Sequence, residues 1–335
     1  MPAFQKRLLT LSITIGVLVA AYVLGLIFSP ASVRRRELET SLVPSFEAAK
    51  VAEIRLSGND GSISLKKRGA TWIVPAAQEE HPASKSRIEA LLDFVQTIKR
   101  SRLVTSNPEA WSDFQVDKSA PQRIQFLDAT ENVILGLIVG KEDEAHGGSY
   151  VRLENSNEVV LVNRLFDYYL NTTAQFWSYL RMFPEDLEGT DINRISVRSS
   201  EGFPKEAASA ISYTLVLGEG RERDWKLLDS TAAGTTLDNA KVDRLANSLA
   251  NLEGADFAAS TVAESAGLSG PSAEILASTN DGRDFRLLIG APAGEERYYG
   301  TLEGSKYIYE VAVFRLENLF RPLSELRPDQ QERQQ

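Results

Sequence analysis

Apolar positions along the chain fall into three regimes. From Leu8 to Phe28 the run LLTLSITIGVLVAAYVLGLIF carries no charge over 21 residues, enough at about 1.5 Å per residue to span a hydrocarbon layer of roughly 30 Å. One transmembrane helix is predicted there. Thr10, Ser12 and Thr14 can return their hydroxyls to the helix's own carbonyls, and Gly16 and Gly25 are tolerated in membrane spans. A cleaved signal peptide is the competing reading, with Ser29-Pro30-Ala31 as a loose cleavage site, but the run exceeds the roughly 7 to 15 residues of a signal core.

The second regime has helical periodicity and occurs twice. Ile88, Leu91, Leu92, Val95 and Ile98 stand at offsets 0, 3, 4, 7 and 10 within Ser84–Lys99, with Ser86 and Glu89 spaced as a capping box. Val242, Leu245, Ala246, Leu249 and Leu252 repeat those offsets 154 positions later, behind Asp238 as N-cap. The third regime is β alternation, and it recurs at nearly the same distance. Thr71-Trp72-Ile73 is matched by the stretch around Trp225, Leu135–Gly140 by Phe285–Gly290, and Ser149–Val151 by Tyr298–Gly300. Val159–Val162 is matched by Tyr307–Val311, each followed by an aromatic helical start at Arg164–Phe166 or Val313–Leu316.

A shared order at a spacing drifting only from 154 to 149 predicts an α+β protein. Its N-terminal transmembrane helix precedes two tandem copies of an antiparallel-sheet-plus-helix unit. Each copy would open with a hairpin, Glu53–Leu56 with Ile63–Lys67 and Ile195–Val197 with Tyr213–Leu217, then continue through the helix into a meander of three or four strands. The expected boundaries are a leader at 1–7, the membrane helix at 8–28, a juxtamembrane linker at 29–46, repeats at 47–183 and 190–326, and a polar tail at 327–335.

Charge refines this picture. The 335 residues hold 37 Lys plus Arg against 46 Asp plus Glu, a net −9. Residues 1–40 carry Lys6, Arg7, Arg34, Arg35 and Arg36 against Glu37 and Glu39, a balance of +3, which leaves −12 for the body. Such a body repels phosphate backbones, so nucleic acid is not an expected partner. The five basic residues are expected at the membrane edge, in contact with lipid headgroups. Their near-equal split across the run gives no orientation, but long domains translocate largely regardless of charge. The expected placement is single-pass in a bacterial inner membrane, with the large domain on the periplasmic side.

Candidate chemistry is sparse. The absence of Cys removes disulfides, thiolate nucleophiles and Cys-ligated metals. The two imidazoles are His81, just ahead of the first helix, and His146, in the acidic loop Glu142-Asp143-Glu144 that reads as a hairpin connection rather than a metal site. No G-x-S-x-G, H-E-x-x-H or P-loop occurs, and Gly218-Glu219-Gly220 lacks the third Gly of a dinucleotide fingerprint. No catalytic, cofactor-binding or metal residue is therefore assigned, and no enzyme activity or cofactor is expected. Trp72 and Trp225 read as core anchors. Lys99, Arg100 and Arg102 read as closing the first helix against its dipole. The aromatic run Phe166, Tyr168, Tyr169, Phe176, Trp177, Tyr179 and Phe183 either packs the copies together or, through its first six members, offers a partner contact.

The stretches Val51–Val74, Ser84–Ile98, Trp111–Asp117 (WSDFQVD), Leu135–Lys141 and Tyr150–Leu153 together resemble the domain-of-unknown-function 4340 family. The resemblance covers most of residues 45–325 and rests on packing and turn signatures. Where members commonly carry Gly-Leu before a strand, this chain has Gln115-Val116 in the first copy and Gly267-Leu268 in the second. The resemblance implies a non-enzymatic, membrane-anchored accessory or scaffold subunit beside the permease and ATPase of an ABC-2-type, gliding-motility-like transporter. The alternative is an extracytoplasmic module that binds glycan, peptide or lipid. The family offers no catalytic residues to transfer.

Overall fold

In the computed structural model, residues 40–76, 79–143, 147–204, 209–218, 224–228 and 236–329 are described, together with Val19 and Tyr22. Those last two are helical and exposed, but the expected span Leu8–Phe28 otherwise lies outside the described residues, as do Lys6, Arg7 and Arg34–Arg36. Among the described residues no helix is long and apolar enough to cross a membrane. The chain divides into two compact units, Met1–Ser178 and Tyr179–Gln335. Met182 and Phe183 pack into the core of the second unit, so the aromatic run is divided between them rather than ending the first repeat.

The first unit is one antiparallel sheet with a helix. Its strands are β1 (Glu53–Gly58), β2 (Gly61–Arg68), β3 (Thr71–Ala76), β4 (Glu79–Pro82), β5 (Arg100–Thr105), β6 (Arg123–Leu127), β7 (Val133–Asp143), β8 (Gly148–Leu153) and β9 (Val159–Val162), in spatial order β4-β3-β2-β1-β6-β7-β8-β9-β5. Alternation places Ile54, Leu56, Ile63, Leu65, Ile124 and Phe126 on one face, all buried. Against them lies helix α1 (Lys85–Thr97), whose stripe Ile88, Leu91, Leu92 and Val95 is likewise buried. Each such side chain contributes about 1.5–3 kcal/mol by leaving water. The N-cap of α1 is Ser84, whose hydroxyl accepts from the Arg87 amide, and not Ser86 two residues on, because Lys85 and Ser86 are already inside the first turn.

The second unit repeats this plan. Strands β10 (Ile192–Ser199), β11 (Ile211–Leu217), β12 (Trp225–Leu227), β13 (Asp256–Phe257), β14 (Ala273–Thr279), β15 (Asp284–Pro292), β16 (Arg297–Leu302) and β17 (Tyr309–Ala312) are ordered β12-β11-β10-β14-β15-β16-β17-β13. With β10 read as β1, β14 as β6 and β13 as β5, every neighbour relation recurs, and the first sheet adds only β4 at its edge. Asp238 caps α3 (Asn239–Ala250) as expected, accepting from the Lys241 amide. Two short helices, α2 (Ala174–Trp177) and α4 (Val313–Leu319), complete the units. Trp72 and Trp225 are both buried at matching strand positions, with the Trp225 indole donating to Asp243 Oδ1 at 2.9 Å.

One element was not legible as a strand. Arg100 and Arg102, expected to finish the helix, belong instead to β5, which leaves the sheet's apolar face and pairs with β9 on the far edge. The helix ends at Ile98, and Arg100 meets Glu158 at 3.0 Å across the new strand pair.

The departure noted at Gln115 has a backbone cause. Gln115 and Gly267 occupy the same turn of the two units, with φ of 57° and 70°, a left-handed conformation that costs a non-glycine residue roughly 1–2 kcal/mol. Each turn precedes the strand position of Gly140 or Gly290, where an added Cβ would overlap the carbonyl oxygen of Phe114 or Ala266. Gln115→Gly should therefore raise the stability of the first unit by about 0.5–1 kcal/mol, after subtracting the added freedom of the unfolded chain. Gly267→Ala should cost about 1–3 kcal/mol, since its Cβ would also sit 2.9 Å from the Ala291 nitrogen. Thermal melts of the two single variants check both signs.

Candidate functional site

Three groups of side chains on the first unit are candidates for function, and each can be traced to its strand or helix. The aromatic run is the first. Phe166 and Trp177 are fully buried, so neither can be a partner contact; they hold the segment after β9 onto α1. From them a series of rings runs outward. Phe94 on α1 meets Phe166 edge-on at 5.1 Å and Tyr169 at 4.7 Å; Tyr168 meets Tyr169 at 5.1 Å and Phe176 at 5.0 Å; Phe176 meets Trp177 at 5.0 Å. Such pairs add about 0.5–1.5 kcal/mol each beyond area burial. Tyr168 ends the series 58% exposed, with Leu165 beside it in sequence at 47%. Arg87 sits over the Phe176 ring at 5.1 Å and Arg164 over Phe94 at 5.9 Å, giving the patch a basic rim. Tyr179 stands in the second unit, where burial pushes its phenol up.

The second group is a buried cation. Arg152 of β8 is 4% exposed, its guanidinium 3.9 Å from the centre of the Trp111 ring. Nε donates to the Val116 carbonyl at 2.8 Å, and Nη1 to the carbonyls of Leu153 and Ser156 at 3.3 and 3.2 Å. Desolvation pulls its pKa down, yet a guanidinium stays charged in proteins. The carbonyl set and the ring replace its water, so this is a clamp on the two 3-10 turns at Pro108–Ala110 and Ser112–Phe114. In the second unit Thr301 takes the place, donating to the Tyr307 carbonyl at 2.8 Å. The Tyr-Val-Arg motif pointed at this residue without showing its role, because Trp111 lies 41 positions away.

The third group lies on the sheet face turned away from α1. Glu53, 5% exposed, receives Arg55 Nε at 2.7 Å and the Ser64 hydroxyl at 2.7 Å. Burial pushes its carboxyl up, but the bonds from Arg55 and Ser64 and the charges of Arg55 and Lys66 outweigh this and leave it below the ordinary carboxylate value. Glu154 accepts from Gln125 Nε2 at 3.1 and 3.0 Å and lies 3.8 Å from Arg123 Nη1. Its carboxylate rests on Gly136, where any Cβ would displace it. At the matching positions of the second unit the charges are exchanged: Glu274 replaces Arg123 and Arg286 replaces Gly136, and Arg286 bridges Glu274 at 2.5 Å and Glu303 at 3.4 Å.

None of these groups forms a nucleophile–base pair. Among the described residues no group of three His, Asp or Glu side chains is placed to hold a metal. Glu142 and Asp143 end β7, with Asp143 Oδ2 3.3 Å from the Tyr150 hydroxyl, while Glu144 and His146 lie outside the described residues. His81 is buried on β4, opposite Val74 of β3.

Paired antiparallel sheets, each with one helix on its apolar face, define the class: a two-unit α+β protein. Residues 72–271 match the family described as Domain of unknown function (DUF4340), and the chain belongs to that family. It is also similar to a protein of Treponema pallidum (strain Nichols) described as uncharacterized, 24% identical over 131 residues, which are 39% of this chain and 42% of that protein. The match thus spans less than half of that relative's length. No solved structure matches.

Glu53 carries a pH prediction. An acid whose pKa is lower folded than unfolded stabilises the fold above its unfolded value, and that contribution is lost as pH falls through the folded one. The first unit should therefore weaken on acidification below the ordinary 4.5. Glu53→Gln, which keeps the shape and removes the titration, should flatten this acid limb in melting temperatures recorded between about pH 3 and 6.

Proposed function

We propose that this chain is a membrane-anchored, non-enzymatic accessory or scaffold subunit of an ABC-2-type, gliding-motility-like transport system. It would be held in a bacterial inner membrane by Leu8–Phe28 with its two-unit body outside the cytoplasm, beside a permease and ATPase. The uncharged 21-residue run and its basic flanks support the anchor. The family resemblance supports the transporter association by analogy alone.

The observation that carries the docking part is the ring series on α1. Rings buried at one end fix Tyr168 at the other, with Leu165 exposed three residues before it, so an aromatic patch with a basic rim is presented by an otherwise acidic body. Preordered aromatic anchors of this kind lose little conformational entropy on binding and suit the centre of a protein–protein contact. The remaining strongly engaged groups, such as Arg152 and Glu53, are tied to backbone and neighbouring strands, which fits a body that holds shape. A second reading, an extracytoplasmic module that binds glycan, peptide or lipid, is favoured by a cavity lined by Arg55, Arg123 and Gln125 on the first sheet.

Purification of the native-level protein from mild detergent should recover a permease or ATPase subunit. Leu165→Ser with Tyr168→Ser should lower that recovery about tenfold, as expected for removing a central anchor pair, while the protein stays folded, its melting temperature lowered by only a few degrees through the loss of the two Tyr168 ring contacts. Recovery of the chain alone from wild-type cells would sink the scaffold reading.

A further inference from the structure

The outer face of the first sheet bears a patch that the second does not reproduce. Register sets it out in two rows across three strands: Ser62, Ser57 and Arg123 in one, Ser64, Arg55 and Gln125 in the other. Alternate residues share a face and directly opposed Cβ atoms stand about 4.5–5.5 Å apart, so all six side chains project together, away from buried Ile54, Leu56, Ile63 and Ile124. They line a cavity of about 520 Å³ whose wall also takes in Leu56 and Ile63 of the same strands, together with Pro75, Thr172 and Ala174. This volume is within the range of small-molecule sites.

Both guanidinium groups are held in place from behind. Arg55 uses Nε and Nη2 on Glu53, at 2.7 and 3.3 Å. Arg123 uses Nε on the Ala120 carbonyl at 3.2 Å and Nη2 on the Lys118 carbonyl. In each the remaining Nη1 is left for a ligand, that of Arg123 having only Glu154 at 3.8 Å. Gln125 donates Nε2 to Glu154, which leaves its carbonyl oxygen to accept. Arg55, Arg123 and Lys66 face Glu53 and Glu154, with Glu131 acting on Arg55 and Asp117 on Arg123, so the surroundings carry no excess positive charge. A site with two oriented guanidinium donors, one amide acceptor and serine hydroxyls, in surroundings without excess positive charge, suits a monoanion bearing hydroxyls better than a dianion.

We propose that this patch is a binding site for a sugar acid, with the ligand carboxylate between Arg55 and Arg123 and its hydroxyls on Gln125, Ser57 and Ser62. The second unit shows what the bare fold supplies without it. Its two rows are Ser212, Arg198 and Glu274, and Thr214, Ser196 and Leu276. There the one arginine faces Glu274 at 3.5 Å and leucine replaces the amide. The charge is neutralised and the acceptor is gone. The site does not depend on the scaffold reading and can fail separately from it.

The full-length protein in mild detergent, titrated calorimetrically with D-glucuronate at low salt, tests the proposal, with D-glucose and inorganic phosphate as comparators. Saturable binding of glucuronate is expected, with none of glucose at the same concentration. Arg123→Gln should weaken it about tenfold or more, the usual loss for one charge-assisted contact. Gln125→Leu, which installs the residue tolerated in the second unit and leaves every charge in place, should weaken it severalfold with an unchanged melting temperature. Arg198→Gln should change nothing. Absence of glucuronate binding at about 10 mM, binding that survives both first-unit substitutions, or phosphate binding tighter than glucuronate would overturn the assignment.

Discussion

The constraint on which each unit rests is that one helix must cross a whole sheet. In the first unit the chain leaves β4 at one edge and re-enters at β5 on the other, with α1 between. Eight strand spacings of about 4.8 Å would separate those edges by roughly 38 Å if the sheet were flat. The 13 residues of α1 cover only about 20 Å. Links of two residues at each end would have to be fully extended and collinear to make up the difference, so the twist and coiling natural to a sheet bring the edges inward around the helix. The helix then faces nearly every strand, which explains why Ile88, Leu91 and Val95 are completely buried on so short an element. It also explains why the strand order is the same in both units, because alternative orders would move β5 or β13 away from the place where the helix delivers the chain.

This geometry separates what was legible in the sequence from what was not. The inner face was legible: helical offsets and strand alternation record burial directly, so Ile88 and Val242, or Leu137 and Leu287, could be paired from spacing alone. The hairpins around Gly58–Gly61 and the α3 cap at Asp238 are local and could be read for the same reason. Long-range pairing could not. Nothing in Arg100–Thr105 announces that its partner is Val159–Val162, and a polar strand with two arginines, following Lys99 at a helix end, looks like a dipole cap. The aromatic run misled in a related way. Composition marked it as a unit, but Phe166 and Trp177 face the core while Tyr168 faces solvent, and only the third dimension distinguishes them. Arg152 was invisible as a buried group because its direct partners are backbone carbonyls and a ring rather than a paired carboxylate.

The two faces of each sheet are under different constraints. On the inner face a change in size is opposed by close packing, so the units keep matched apolar positions, including Trp72 and Trp225. On the outer face a polar pair can reverse sign or shift by one strand at small cost, since partly exposed ion pairs are worth only about 0–1 kcal/mol. The exchange of Arg123 for Glu274, with Gly136 becoming Arg286, is that freedom realised within one chain. Gly136 makes room for an acid reaching over it, whereas at position 286 the long side chain itself does the reaching.

A duplicated scaffold of this kind lets one copy keep the stability requirements while the other takes on a surface role, and the residues best placed to differ are those whose loss leaves the core intact. In the first unit these are the outer rows on β2, β1 and β6, carried on strands whose other side is packed, and Tyr168 at the exposed end of the ring series, on the short 3-10 turn Asp167–Leu170. A surface built on strands is held more precisely than one built on loops. Rigidity matters more here than reactivity, because a ligand or partner that meets preordered groups loses only its own freedom. The Arg55 and Arg123 anchors illustrate it: each is fixed by atoms behind it, Glu53 in one case and turn carbonyls in the other, so the forward-facing nitrogen is positioned before anything binds. The arginine of the second unit's rows, Arg198 at the position of Ser57, has its charge answered by a carboxylate on the neighbouring strand and stays a structural pair.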